Sequence, residues 1–295
     1  MSEDLLARFY RAAGYRVIHS ERGTWFDASS RVYQSLPGVK LIDPAREELR
    51  SLLRRHRLAG VQYATGAQYG LPSYAYAVRD KRYGLSSTSR TFRQNVLKGA
   101  RECEVRELGF DELERIGLPV NRDALGRRGY RDPRFLESDR WRRYCGAGLS
   151  TPGAGALGSF RGGALAAYIL HVVDQGICHG LHMFSSQWAR PHHPNHVLYY
   201  EFTRRMISLP NVDCVSTGLK PYPAAGEIDR FKRQAGYQTE PCRLAVVLHP
   251  AVERLLLSSP QAALLRISGK VPRWESATTR MRAVAEIARA TLAGG

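Results

Sequence analysis

Six histidines, His171, His179, His182, His192, His193 and His196, fall within one short stretch of the chain. Such a density suggests zinc, whose structural sites take imidazole nitrogens at tetrahedral positions. The spacing opposes it: His179 and His182 fall on an expected strand, where residues three apart point to opposite faces. The run "RPHHPNH" is broken by prolines and has no thiolate or carboxylate beside it. No metal is expected. His182 remains a candidate base in a cleft, because imidazole changes charge near neutral pH. A second pattern, "GAGALG" at 153–158, fits G-x-G-x-x-G, but a dinucleotide site needs a strand before it and a helix after it. Here loop is expected before and strand after, so a flexible hinge is the expectation. The joint "SSQWARPHHPNHVLYYEF" offers Asn195 as helix N-cap, with Leu198, Phe202, Met206 and Leu209 at core spacing behind it. Free amides and the positive dipole end there suit phosphate or an oxyanion, and an ordinary buried helix gives the same pattern. Last, "GEIDRFKRQAGYQTEP" holds Phe231, Lys232 and Arg233 at the end of an expected helix, just before a glycine.

These residues need a scaffold. The periodicity predicts an amphipathic helix near 3–13, a loop over "SSRVYQSLPGVKLIDP", and a helix over "DPAREELRSLLRRHRLAG" with Asp43 as N-cap and Pro44 at its first position. Strands are expected at "GVQYATG" and "SYAYAVR", then a basic helix over 86–101, a strand at "CEVREL", a helix at "GFDELERIG" and one or two helices across the arginine-rich segment up to Gly146. Beyond a Gly-rich hinge come strands "GALAAYILHVV" and "GICHGLHMFSS", helix "PNHVLYYEFTRRMISL", strand "VDCVSTGL", helix "AGEIDRFKRQAG" and strand "CRLAVVLHP". Adjacent strands followed by alternating helix and strand describe an α/β (α+β) fold, a mixed sheet flanked by helices. The expected division is 1–145, 146–250 and a helical extension over 251–295.

With 295 residues and 43% hydrophobic content, the chain can bury a core without staples. Its five dispersed cysteines form no C-x-x-C pair, which argues against a disulfide framework or a zinc ribbon and fits a reducing cytoplasm. The first twenty residues mix charges with apolar positions, unlike a signal peptide, and no run approaches the roughly eighteen apolar residues of a membrane span. A soluble cytoplasmic protein without stable membrane insertion is expected. A net charge of +17 draws polyanions, although an arginine-rich composition alone would also produce it.

The order of these segments resembles the Fem-type aminoacyltransferases of the GNAT superfamily. "SRTFRQNVLKGARECEV" resembles their basic helix and strand, "NRDALGRRGYRD" their arginine-bearing linker, and "GALAAYILHVV", "SSQWARPHHPNHVLYYEF", "VDCVSTGL" and "IDRFKRQAGY" their C-terminal half. The resemblance spans roughly residues 20 to 250. It implies two GNAT-like domains, each a mixed sheet with helices, and attack of an amine on an activated acyl carbonyl to form an amide. Fem-type enzymes take the acyl group from aminoacyl-tRNA. CoA-using relatives carry a loop Q/R-x-x-G-x-G/A whose bare amides cradle pyrophosphate, whereas "QWARPHHPNH" has no glycine and has prolines in place of amide donors. Aminoacyl-tRNA is therefore the favoured donor and tRNA the expected partner, with no cofactor of the enzyme's own. An acyl-CoA N-acetyltransferase for an amino sugar is the alternative, and an inactive RNA-binding or scaffold protein a third.

The resemblance also implies roles. Phe231 and Lys232 match the family's aromatic–lysine pair at the aminoacyl end of the donor, where an ammonium beside an ester carbonyl would stabilise the tetrahedral intermediate. Arg127 matches an arginine near the acceptor's anionic groups. Tyr199, Asn195 and Arg233 complete the substrate-binding candidates, with Arg233 equally suited to an exposed helix end. Arg90, Arg93 and Lys98 could line an anion path or form a solvated face. Glu201, Asp213 and His182 are the candidates for a general base, and none is favoured. The acceptor amine, the oligomeric state and the role of the last helices stay open.

Overall fold

A computed structural model describes residues 4–29, 32–127, 132–222, 226–257 and 275–294. In chain order the strands are β1 (Val17–His19), β2 (Thr24–Ser29), β3 (Val32–Leu36), β4 (Gly60–Thr65), β5 (Leu71–Val78), β6 (Glu104–Glu107), β7 (Ala154–Arg161), β8 (Ala164–Asp174), β9 (Ile177–Ser185), β10 (Cys214–Leu219) and β11 (Gln238–Leu248). The helices are α1 (Leu5–Ala12), α2 (Arg46–His56), α3 (Arg90–Glu102), α4 (Phe110–Arg127), α5 (Pro133–Leu136), α6 (Ser138–Ser150), α7 (Pro194–Ser208), α8 (Gly226–Gln234), α9 (Pro250–Leu257) and α10 (Glu275–Ala293).

The chain forms two compact units. The first comprises Met1–Tyr15, Tyr76–Gly218 and Glu227–Thr239, and the second Arg16–Ala75, Leu219–Gly226 and Glu240–Gly295. The boundary expected near residue 146 lies inside α6, and residues 76–145 belong with 146–218 in the first unit.

In the first unit β6, β7, β8 and β9 pair antiparallel in that order, and β10 joins β9 in parallel. Long alternating and continuous apolar runs, with Ala166, Tyr168, Leu170 and Val172 fully enclosed on β8, give these strands packing on both faces. Helix α7 supplies the crossover from β9 to β10, as a parallel pair requires. Asp4 caps α1 by accepting from the amides of Leu6 and Ala7 at 2.9 and 3.3 Å. In the second unit β1, β2 and β3 pair antiparallel, α2 follows, β4 joins β3 in parallel, and β11 pairs antiparallel with β4. Three antiparallel strands, a helix and a parallel strand thus occur once in each unit. The C-terminal helices pack on β11: Leu256, Ile287 and Ala288 bury with Leu244, Val246 and Leu248. The expected extension is therefore a covering layer of the second unit, and its segment 258–274 lies outside the described residues.

Several local expectations change. The expected hinge is instead the end of α6 and strand β7, and "GAGALG" pairs with β8 from Ala154↔Val172 to Gly158↔Tyr168. Its glycines serve close packing: a Cβ on Gly155 would meet the His171 ring at 2.6 Å. The expected loop over "RVYQSL" contains β3. Helix α2 starts after Ala45, and Asp43 instead accepts a hydrogen bond from the Tyr69 hydroxyl, a tertiary contact that replaces the local cap.

Helix α3 lies on α7 through Phe92, Val96 and Gly99, where a Cβ on Gly99 would come 2.8 Å from the His193 carbonyl oxygen and 3.2 Å from Val197. Backbone cannot yield as a flexible side chain can, so Gly99→Ala is expected to destabilise the protein by about 1–3 kcal/mol. The check is the urea midpoint, and an unchanged midpoint would show that α3 shifts freely.

Candidate active site

Strands β9 and β10 are paired only from Cys214↔Ile177 to Ser216↔His179. Beyond that point β9 runs on to Ser185 and β10 to Leu219, so the pair diverges. In the second unit the corresponding place behind β3 and β4 is bridged by Leu41 to Ala64, and the Ile42 amide donates to the Ala64 carbonyl at 3.0 Å. Only the first unit leaves this edge to side chains.

Thr217 stands at the divergence and is contacted from two helices. The Lys232 Nζ donates to its backbone carbonyl at 2.6 Å, and the Tyr199 hydroxyl donates to its Oγ1 at 2.9 Å. The ammonium also lies 4.2 Å from the Tyr76 ring centroid, a cation–π arrangement. Tyr76 in turn donates its hydroxyl to Asp229 Oδ1 at 2.9 Å, and Arg233 Nε donates to the same oxygen at 3.0 Å. Burial pulls the Lys232 pKa down to about 8, against the opposing pull of Asp229 one turn earlier. The amine therefore sits largely enclosed, charged at neutral pH and close to losing its proton.

Phe231 points into an aromatic cluster, with ring centroids 5.1 Å from Tyr199, 5.3 Å from His196 and 5.4 Å from Phe92, all edge-to-face. Behind it Tyr237 and Thr203 share a hydrogen bond of 2.8 Å, and burial pushes the Tyr199 and Tyr237 phenols above their ordinary range. Phe231, Lys232 and Tyr199 are thus brought together around Thr217. Arg233 is exposed and held by Asp229, on the helix's outer side.

The remaining candidates have other partners. Asp213 is exposed just before β10, four residues from Thr217 and so about 13 Å away at strand rise. Burial favours the protonated form of Glu201, but hydrogen bonds from Arg204 at 2.8 Å and Arg205 at 3.1 Å hold it below the usual carboxylate value. His182 is caged by Phe135, Tyr144 and Phe184, with its Nε2 enclosed and unpartnered, and burial pulls it down to about 4. A neutral imidazole of that pKa is a weak base. Arg127 donates to the Ser185 carbonyl at 2.6 Å and pairs with Asp123, which accepts from the Gln187 amide at 2.5 Å. Together they clamp the end of β9 to the start of the connection leading into α7.

Asn195 is not the N-cap. His193, at φ 55°, takes that place without a side-chain cap because Pro194 occupies the first helical position. The Asn195 amide instead donates to Ser185 Oγ at 3.2 Å. Pro194 has no N–H, and the amides of His196 and Val197 both turn back to the His193 carbonyl at 3.1 and 3.4 Å. The first turn of α7 therefore presents few free donors, contrary to an anion cradle. Among the described residues no cluster of His, Cys, Asp or Glu could hold a metal ion, and no helix is long and apolar enough to cross a membrane.

The sequence reading missed Tyr76, Thr217 and Asp229. Asp229 was within reach of it, three residues before Lys232 on one helix face. Tyr76 and Thr217 carry no local signal, because their roles arise from strand placement.

No protein-family model matches the chain, and no curated protein matches it. Solved structures do. The C-terminal domain of a putative lysylphosphatidylglycerol synthetase from Agrobacterium fabrum aligns over 90% of this chain and 92% of that one, with a TM-score of 0.57 and 14% identity. FemX aligns over 89% of this chain and 92% of its own, with a TM-score of 0.54 and 9% identity. The chain shares its fold with FemX and with that synthetase domain. The L-PGS of Bacillus licheniformis, at a TM-score of 0.53 and 12% identity, covers 89% of this chain and 91% of that one. At these identities the likeness concerns the fold, and what Lys232 or Thr217 can do rests on the geometry of this Fem-type fold itself.

Proposed function

We propose that the protein is an acyltransferase that moves an aminoacyl group from aminoacyl-tRNA onto an amine of a peptide, a cell-envelope precursor or a natural product. The observation that carries this is the Lys232 ammonium, enclosed at the divergence of β9 and β10 between the Thr217 carbonyl and the Tyr76 ring. A donor ester carbonyl beside it would gain a fixed positive charge where negative charge develops, in a half-buried site where water screens it less than in bulk. The unprotonated acceptor amine attacks the carbonyl carbon, forming the C–N bond, and the intermediate collapses by breaking the bond to the ribose oxygen. The proton lost by the amine ends on that departing oxygen, so the step balances without a carboxylate. This agrees with Glu201 being held by Arg204 and Arg205 and with Asp213 lying four residues before Thr217.

The choice of aminoacyl-tRNA over acyl-CoA is supported by the glycine-free connection before α7, whose first amides are already engaged, and by the charge of +17. A second reading changes only the acceptor. One of the similar structures is by name the C-terminal domain of a putative lysylphosphatidylglycerol synthetase, which supports a hydroxyl acceptor and an ester product.

Incubation with radiolabelled aminoacyl-tRNA and a bacterial envelope extract separates these readings. Label in a product stable to mild alkali supports an amide, whereas alkali-labile label in the lipid phase supports the hydroxyl acceptor. A ligand that binds the folded state raises its melting temperature. A rise with CoA and none with tRNA would overturn the donor assignment.

A further inference from the structure

The geometry points to the outer face of α3 as a track for a single RNA strand leading away from Lys232. Phe92, Val96 and Gly99 turn inward on this helix, while Arg90, Arg93, Leu97, Lys98 and Arg101 are exposed. At 3.6 residues per turn they spread over one face of the helix about 140° wide and about 16 Å long. Four of the five are cations. None of the four has a carboxylate partner among the described residues, whereas Glu102, the helix's one acid, is already engaged by Arg161 at 3.3 Å and by His192 at 2.5 Å.

The face is continuous with the candidate active site. The Ser89 amide, just ahead of Arg90, donates to the Gln234 carbonyl at the end of α8, and Phe92 meets Phe231 at 5.4 Å. A donor whose acyl ester lies at Lys232 therefore has this basic face beside it, past Phe231 and Phe92. A basic face along one helix matches the phosphates of one extended strand, while an anionic membrane would be better served by a face that also carries several apolar residues. The face has a single exposed apolar residue, Leu97.

This inference rests on the aminoacyl-tRNA reading, and the experiment separates the two. Binding of the full chain to deacylated tRNA is followed by fluorescence anisotropy across a salt series, for the wild type and for R93Q/K98Q/R101Q. A control, R54Q/R55Q/R57Q, removes the same charge from α2 and the residue after it. The α3 variant is expected to bind about tenfold or more weakly at low salt, with a log–log salt slope reduced by about two, since each phosphate contact on a single strand contributes about 0.7. The control is expected to bind as the wild type does. All three should melt at the same temperature, because the altered residues are exposed.

Equal losses in the two variants would overturn the track, leaving only general charge attraction. Unchanged tRNA binding by the α3 variant, together with lost binding to phosphatidylglycerol vesicles, would overturn it in favour of a membrane surface. If the wild type transfers from aminoacyl-tRNA and the α3 variant binds and transfers equally well, the track fails while the proposed function stands. If the wild type binds no tRNA, both fail.

Discussion

Lys232→Ala is expected to lower kcat/KM for acyl transfer by roughly 100- to 1,000-fold, the usual cost of losing one preorganised donor to an oxyanion. The melting temperature should not fall with it. Burial holds the Lys232 pKa at about 8 against 10.5 for the free side chain. Between those values the unfolded chain binds a proton that the folded chain does not, so stability rises with pH across that window and the full penalty of the buried ammonium is present below about pH 8. Lys232→Met removes this penalty and is expected to melt higher at pH 7 while remaining inactive. For the reaction the sign is opposite: transfer requires the ammonium, so the rate should decline as pH rises through about 8. Lys232→Arg stays charged throughout and should lose that decline, whatever its absolute rate. A pH profile of kcat/KM and a melting curve for each variant test both statements, and an Ala variant with wild-type transfer would remove Lys232 from the mechanism.

Trp141→Ala is expected to cost about 3–5 kcal/mol, the typical penalty for truncating a fully buried tryptophan. Trp141 on α6 stacks on Tyr144 at 5.8 Å and 13°, meets Phe135 at 6.1 Å and Tyr168 of β8 at 6.2 Å, and donates its indole N–H to the Glu114 carbonyl at 3.2 Å. Gly117 on α4 leaves room for it, since a Cβ there would lie 3.0 Å from the indole. Because a domain's net stability is about 5–15 kcal/mol, this loss should shift the urea midpoint of the first unit markedly. It should reach the site too. Tyr168, Phe184 and the caged His182 belong to the same aromatic layer, and that layer supports the end of β9 that no longer pairs with β10. A variant with a wild-type midpoint would show that α6 does not hold β8 and β9 in place.

Much of the scaffold was legible because hydrophobic period is a local signal. The strands from "GALAAYILHVV" to "CRLAVVLHP", and the helices between them, follow from apolar runs and spacing that any window of the chain displays. Asp43 shows where that reading stops: as an isolated residue it suits a helix cap, yet Tyr69 reaches it first. "GAGALG" shows the same from the other side, since glycine carries no face preference and only the register with β8 makes it a strand.

By itself the sequence determined that Phe231 and Lys232 end a helix, that Asp229 lies one turn earlier, that the connection into α7 has no glycine, and that one face of α3 is basic. All of these depend on neighbours within about four positions. Only the tertiary structure decided that Lys232 is enclosed, that Tyr76, 153 residues from Asp229, anchors that carboxylate beneath the ammonium, and that Thr217 supplies the oxygen facing it. It also decided that His182 is caged by aromatic rings and that Glu201 is held by Arg204 and Arg205. The physical reason is that a pKa and a hydrogen-bond partner depend on what surrounds a group in space, and across a sheet that is set by strand order and register, which no local period encodes.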